Sequence, residues 1–332
     1  MPSTTRLETP APGARTLVAR PRLGRPRLLI IGCGDLGLRI VARLRSRFRI
    51  YATVTRPDHA ARVRAAGAVP LLLNLDLAPC AAQNASPRLL GELASRVLVL
   101  APTTTQGPQD HRSRRLLGLL GAGPRAQATG QHSRGQLVYI STTGVYGNRQ
   151  GAWTDETTSA QPRNERAQRR LDAEQRLRAS TWRAAVLRVP GIYAPDRLPL
   201  ERLRQGIPVP LPDQDVYTNH IHAQDLARAC ILALFRARPT RVYNVVDDTQ
   251  LRLGEYLDLV AGHAGLPRAP RAPWEQMRAA AGAQRMSFLE ESRRLRNTRM
   301  KRELRLRLQY PDVAAGLAGA ADQASKSPST ER

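Results

Sequence analysis

Leu28-Leu29-Ile30-Ile31-Gly32-Cys33-Gly34-Asp35-Leu36-Gly37 decides the fold of this 332-residue chain. The four apolar residues form a run of the length expected for a strand buried on both faces of a parallel sheet. Gly-x-Gly-x-x-Gly follows at once, and Leu36, Ile40, Val41 and Leu44 then recur at helical spacing. Gly32 permits a tight turn, Gly34 lets a pyrophosphate approach the backbone, and Gly37 lets the helix pack close to the strand. A helix that starts here offers N–H donors and a favourable dipole to phosphates. Strand, glycine turn and helix in this order predict a dinucleotide site built on Gly32, Cys33, Gly34, Asp35, Leu36 and Gly37.

The same alternation continues outward. Strands are predicted at Ile50–Thr55, Val69–Leu73, Val97–Leu100, Leu137–Ile140 and Ala185–Val189. Helices fall between them near His59–Ala66, over Leu89–Ser95, over Ser113–Leu120 and around Glu165–Arg178. This rhythm predicts an α/β fold with a doubly wound parallel sheet. Beyond Pro190 a helix over Leu226–Phe235, a strand at Val242–Val246 and a helix over Gly254–Ala264 follow. The organisation read from these patterns is a disordered basic arm over 1–26 and a Rossmann core over 27–193. A mixed region over 194–312 comes next, and a mostly disordered tail over 313–332 ends the chain. Within the mixed region, 216–249 returns to the core, while 194–215 and 250–312 build a small lobe that caps a substrate cleft.

Composition bounds the partners. Fifty-two basic residues against 27 acidic ones give a net charge of +25, and only Lys301 and Lys326 are lysines. The arginines are spread along the whole chain without interleaved aromatics, which argues against a nucleic-acid platform. Three cysteines, Cys33, Cys80 and Cys230, share no metal-like spacing and make no even disulfide set. No apolar run approaches the roughly 18 residues a membrane span needs, and no secretory h-region precedes the first strand. The expectation is a cytoplasmic protein with a small-molecule substrate, no membrane partner and no metal, as a monomer or homodimer.

The end of the second strand reads the adenosine ribose in such a fold. Thr55 stands where an acidic residue would select NAD, and Arg56 follows it, placed to meet a 2′-phosphate. NADP is therefore favoured over NAD, with Asp58 keeping NAD as the alternative.

Further blocks carry a resemblance. They are Asp76-Leu77, Tyr139-Ile140-Ser141-Thr142-Thr143-Gly144-Val145-Tyr146-Gly147 and Leu187-Arg188-Val189-Pro190-Gly191-Ile192-Tyr193. Asp155-Glu156, Asn219-His220-Ile221-His222-Ala223-Gln224-Asp225-Leu226-Ala227 and Tyr243-Asn244-Val245-Val246-Asp247-Asp248 complete the set. From Leu28 to about Gly316 the chain resembles an extended short-chain dehydrogenase/reductase of the NAD-dependent epimerase/dehydratase family, in a branch of uncharacterised bacterial oxidoreductase-like members. The resemblance implies that Asp76 approaches the adenine, with Leu77 among the cofactor-binding residues, and that Ala101 and Pro102 flank the nucleotide. It places Pro190, Gly191 and Ile192 against the nicotinamide carboxamide, and Thr142 as the hydroxyl that orients a substrate carbonyl or alcohol. His220, His222 and Asp225 invite a metal or triad reading. A third ligand is not evident, and Asp225 fits better as an acceptor of N–H bonds at a helix start.

One departure matters more than these matches. The family's chemistry uses Tyr-x-x-x-Lys on one helix face, and this chain has Arg166 and Arg170 at those positions. No Tyr lies between Tyr146 and Tyr193, and no Lys precedes Lys301. Arginine keeps its proton, with a pKa above about 12, so neither can act as acid or base. Tyr146, Asp155, Glu156 and Glu165 are the remaining candidates for that step. Arg166 and Arg170 could instead grip an anionic substrate. The reading is an NAD(P)-dependent oxidoreductase or epimerase acting on a carbonyl or sugar-like substrate. The alternatives are a non-catalytic NAD(P) sensor or scaffold and, third, a basic nucleic-acid-associated protein.

Overall fold

The computed structural model describes residues 24–77, 90–121, 135–280 and 290–326. Strand and helix alternate through β1 (Arg27–Ile31), α1 (Asp35–Leu44), β2 (Arg49–Val54), α2 (Pro57–Ala65), β3 (Val69–Leu72), α3 (Leu90–Leu93), β4 (Arg96–Val99) and α4 (His111–Leu120). The chain continues through β5 (Gln136–Thr142), β6 (Trp153–Thr154), α5 (Glu165–Arg178), β7 (Arg183–Val189), β8 (Gly191–Tyr193), α6 (Leu200–Arg204) and β9 (Val209–Pro210). After these come β10 (His220–His222), α7 (Ala223–Arg236), β11 (Val242–Asn244), α8 (Leu253–Ala264), β12 (Arg271–Ala272), α9 (Trp274–Ala280), β13 (Arg294–Leu295) and α10 (Val313–Lys326).

Seven strands form one sheet in the order β11-β7-β5-β4-β1-β2-β3, and every pair is parallel. Successive strand residues face opposite sides, and the burial divides accordingly. Leu28, Ile30, Ile50, Ala52, Leu98 and Val138 pack against α1 and α7 on one face. Leu29, Ile31, Val97, Val99, Leu137 and Tyr139 pack against α4 and α5 on the other. This double coverage is why the strands read as unbroken apolar runs. Chain order reverses at β1, which has β4 on one side and β2 on the other. The carboxyl ends of these strands therefore open onto a crevice.

Capping sets several boundaries that periodicity alone misplaces. Asp110 accepts the Ser113 N–H at 2.9 Å, so α4 begins at His111 rather than at Ser113. His222 Nδ1 accepts the Gln224 N–H at 3.3 Å, which starts α7 at Ala223 rather than Leu226. Asn164 accepts the Ala167 N–H at 2.9 Å and starts α5 at Glu165, as expected. The third helix is shorter than predicted, covering Leu90–Leu93, and Leu89 lies outside the described residues.

The second half departs from the expected layout. A separate apolar cluster joins Tyr193, Leu203, Val209, Tyr256, Leu257 and Val260, forming a smaller lobe. Met300, Leu304 and Leu306 belong instead to the main core, so the stretch up to 312 is not all lobe. The expected tail from 313 begins as α10, because Val313 and Leu317 are buried in the smaller cluster and Asp312 accepts the Ala315 N–H at 2.8 Å. Residues 1–23 of the expected arm, Cys80 and the last six residues lie outside the described residues. Among the described residues no helix is long and apolar enough to cross a membrane.

Candidate functional site

The carboxyl ends of β1 to β4 enclose a cleft of about 390 Å³. Gly32, Cys33, Gly34, Thr55, Asp76, Ala101 and Pro102 of the expected site line it together. The glycine turn is shaped by contact. Gly32 has φ +82°, and a Cβ on it would lie 2.7 Å from the Ala101 backbone. A Cβ on Gly37 would lie 2.8 Å from Cys33 Sγ, so the helix packs tightly under the turn. A Cβ on Gly34 meets nothing within 4 Å and would project into open space. Thr53 holds the turn by accepting the Gly32 N–H on Oγ1 at 2.8 Å and the Cys33 N–H on its carbonyl at 2.9 Å.

Helix α1 has no side-chain cap, so its first N–H groups remain available to an anion. An open cradle at Gly34 beside an uncapped helix start fits a dinucleotide pyrophosphate. Asp35, Leu36, Gly37, Leu77 and Ile192 do not line this cleft. Asp35 turns to Arg39 and Arg197 in ion pairs of 3.0 and 3.1 Å, while Leu36 and Ile192 pack against the main core. Leu77 is exposed, and its carbonyl accepts from Arg115.

Arg56, next to the lining residue Thr55, does not itself line the cleft; it is exposed, pairing with Asp58 at 3.4 Å and with His59 Nε2 at 2.8 Å. His59 itself lines the cleft, one turn beyond Arg56 on α2, and was not singled out from the sequence. Arg112 was also missed. It donates to both Asp76 oxygens at 2.7 and 2.6 Å, and these bonds hold the Asp76 carboxyl below its ordinary range. An adenine reaching Asp76 must therefore share it with Arg112.

A second cleft of about 360 Å³ opens at the carboxyl ends of β5 and β7. Thr142, Arg166, Pro190 and Gly191 line it, and Thr142 Oγ1 accepts the Gly144 N–H at 3.2 Å. Strand β10 pairs with β8 in the register His220 opposite Gly191, which brings His220 into the wall. Tyr217, Glu291 and Arg293 also line it, and the sequence reading named none of these three. Partial desolvation and the neighbouring Arg170 and Arg169 lower the pKa of Arg166, yet a guanidinium stays charged.

Arg170 does not reach this cleft. It donates to the Ile140 carbonyl at 2.9 Å and to the Tyr139 hydroxyl at 3.1 Å. The four other acid–base candidates stay away from both clefts. Tyr146 is fully buried, donates to Asn244 Oδ1 at 2.8 Å, and is pushed up by burial. Burial likewise raises Glu156, which accepts the Asn244 N–H at 2.9 Å. Asp155 is held low by Thr157, and exposed Glu165 pairs with Arg169 at 3.3 Å.

Asp225 is fully buried and accepts the N–H groups of Gln309 and Tyr310 at 2.9–3.0 Å, with Arg228 at 2.7 Å. It ties α7 to the chain before α10. The capping role expected of it falls to His222. Among the described residues no group of three or more His, Cys, Asp or Glu side chains could hold a metal.

No protein-family model matches this chain, and no curated protein does. Among solved structures, a functionally unknown conserved protein from Silicibacter pomeroyi DSS is 31% identical with TM-score 0.74, the match covering 90% of this chain and 99% of that one. A Methylobacillus flagellatus protein, provisionally assigned as an NAD-dependent epimerase/dehydratase, is 23% identical with TM-score 0.62, covering 91% and 100%. A human epimerase family protein solved with NADPH is 18% identical with TM-score 0.63, covering 89% and 99%. The last two share the fold.

Proposed function

We propose that this chain, which shares the fold of the epimerase/dehydratase-type structures above, is a member of the extended short-chain dehydrogenase/reductase family and an NADP(H)-binding oxidoreductase acting on a small molecule. One observation carries this reading. The open space at Gly34, beside the uncapped start of α1, is a pyrophosphate cradle at the point where strand order reverses. Gly32 to Gly34 would hold the phosphates, Thr55 and Arg56 the adenosine ribose, and Ala101 and Pro102 the flank of the nucleotide. Pro190 and Gly191 border the second cleft at its expected nicotinamide end. The bound cofactor supplies hydride transfer. Thr142 would orient the reacting carbonyl or alcohol from the end of β5.

The usual phenol–ammonium pair is replaced by arginines in this reading, so the proton must pass through another group in the second cleft. A non-catalytic NADP(H) sensor is the second reading, favoured by Arg170, whose guanidinium is engaged by Ile140 and Tyr139. Titration of the full chain with NADPH, followed by hydride-transfer assays on carbonyl compounds, tests both. Binding with turnover supports the oxidoreductase, and binding without turnover supports the sensor. Failure to bind either nicotinamide cofactor would remove both.

A further inference from the structure

Three buried polar side chains with unused hydrogen-bonding atoms line the second cleft, and we propose that they bind a small hydroxylated carboxylate. The proposal deepens the oxidoreductase reading and rests on it for taking this cleft as the substrate site.

His220, Glu291 and Arg293 are 6%, 7% and 9% exposed. His220 Nδ1, Glu291 Oε1 and Arg293 Nε have no hydrogen-bond partner. A buried polar atom without a partner is costly, and native proteins keep few of them. All three belong to residues that line one cavity of small-molecule size, where a bound ligand could satisfy them.

The bonds already made define what remains open. Arg293 Nη1 donates to Glu291 Oε2 at 2.7 Å and to the Gly147 carbonyl at 2.9 Å. The pair is thereby fixed, with an acceptor left over at Oε1 and a donor at Nε. The His220 ring stacks on Tyr256 with centroids 4.0 Å apart, and burial holds its pKa down to about 4. A neutral imidazole offers one donor and one acceptor.

The ligand class follows from these atoms. Glu291 Oε1 can only accept, so it rejects a phosphate dianion or a bare carboxylate and takes a hydroxyl. Arg293 Nε needs an acceptor. Arg166 stands on the same cleft with Arg169 and Arg170 adding positive field, which favours an anion there. A hydroxyl facing Glu291 and a carboxylate facing the arginines describe a hydroxy acid.

Matched pairs test this by isothermal titration of the full chain, with lactate against propionate and malate against succinate. Aspartate, inorganic phosphate and NADPH are titrated in parallel. The hydroxy acid of at least one pair is expected to bind about tenfold tighter than its deoxy partner, the size of a hydrogen bond to a charged group. Glu291→Gln, which keeps the side-chain volume, should erase that ratio and leave NADPH affinity unchanged. If this variant does not fold, the wild-type ratios decide alone. Lack of a hydroxyl preference in both pairs, tighter binding of phosphate, or tighter binding of aspartate than malate overturns the proposal. NADPH binding without a hydroxyl preference removes this inference only. A hydroxyl preference without NADPH binding removes the oxidoreductase reading and leaves the hydroxy-acid site standing.

Discussion

The Arg170 guanidinium donates to the Ile140 carbonyl at 2.9 Å, pinning α5 to the last turn-side residues of β5. Its second bond, to the Tyr139 hydroxyl at 3.1 Å, engages a phenol that burial pushes up to about 12. Position 170 is thus structural here, while Arg166, one helical turn earlier, faces the cleft that Thr142 lines. The two arginines do not form a joint anion clamp, and neither can shuttle a proton.

Restoring the family pattern should therefore carry a modest structural cost. Arg166→Tyr with Arg170→Lys is expected to fold with a loss of about 1–3 kcal/mol, from the weakened bonds of position 170. Wild-type turnover of carbonyl compounds with NADPH should be measurable but slow, since the positioned acid or base that these two positions lack is worth about 10²–10⁴ in rate. The double variant should rise measurably above it. Wild-type turnover that survives Arg166→Ala would place the proton transfer elsewhere in the second cleft.

Gly34→Val is expected to abolish binding of both nicotinamide cofactors without unfolding the chain. Gly34 has φ −93°, a backbone that any residue adopts, and its Cβ would meet no protein atom within 4 Å. The valine would fill only the space the pyrophosphate needs. Fluorescence titration beside a thermal melt checks this. A retained melting temperature with unchanged cofactor affinity would show that the glycine serves the turn alone.

The two clefts differ in how far the sequence reveals them. The glycine turn and Thr55 were legible because each sits just past an apolar strand, where spacing and position coincide, whereas Ala101 followed only from the family resemblance. Glu291 and Arg293 were not, since no local pattern marks them. They reach the cleft through non-local bonds: Asn219 donates to the Arg293 carbonyl at 3.0 Å, and Tyr217 N–H donates to Ser292 Oγ at 3.1 Å. Arg112 hid for a different reason. In a chain with fifty arginines, one more in a helix first turn carries no signal until Asp76 is seen against it. The expected lobe boundary failed because the apolar spacing of Met300 and Leu304 does not say which core they join.

Cofactor preference should follow Arg56. The side chain is exposed next to the cleft-lining Thr55, and its partners Asp58 and His59 are weak competitors for a 2′-phosphate at a solvated site. A charge-assisted bond of about 1.5–3 kcal/mol predicts a preference of about 10- to 100-fold for NADPH over NADH. Arg56→Ala should bring the two dissociation constants together by weakening NADPH alone. Equal affinities in the wild type would assign the ribose contact to Thr55 or Asp58.

Asp247 predicts a pH dependence of stability with a definite sign. It is 2% exposed, Oδ1 accepts the Thr249 N–H at 3.0 Å, and Oδ2 has no partner. Burial pushes its carboxyl up to about 7, against about 3.9 in an unfolded chain. Below pH 4 both states hold the proton and Asp247 costs nothing. Between about 4 and 7 the unfolded state has released the proton and the folded state has not, so stability falls as pH rises. Above 7 the full cost of a buried charge persists. His220 acts in the opposite sense, since its depressed pKa makes stability rise from about pH 4 to 6.5. The difference between wild type and Asp247→Asn cancels that contribution. The amide stays neutral at every pH, and its oxygen can still accept the Thr249 N–H. Urea unfolding at pH 4 should give nearly equal stabilities for the two proteins. At pH 8.5 the variant should be the more stable, by on the order of 2–4 kcal/mol. A difference that stays flat across this range would mean that Asp247 ionises as freely in the folded chain as in the unfolded one.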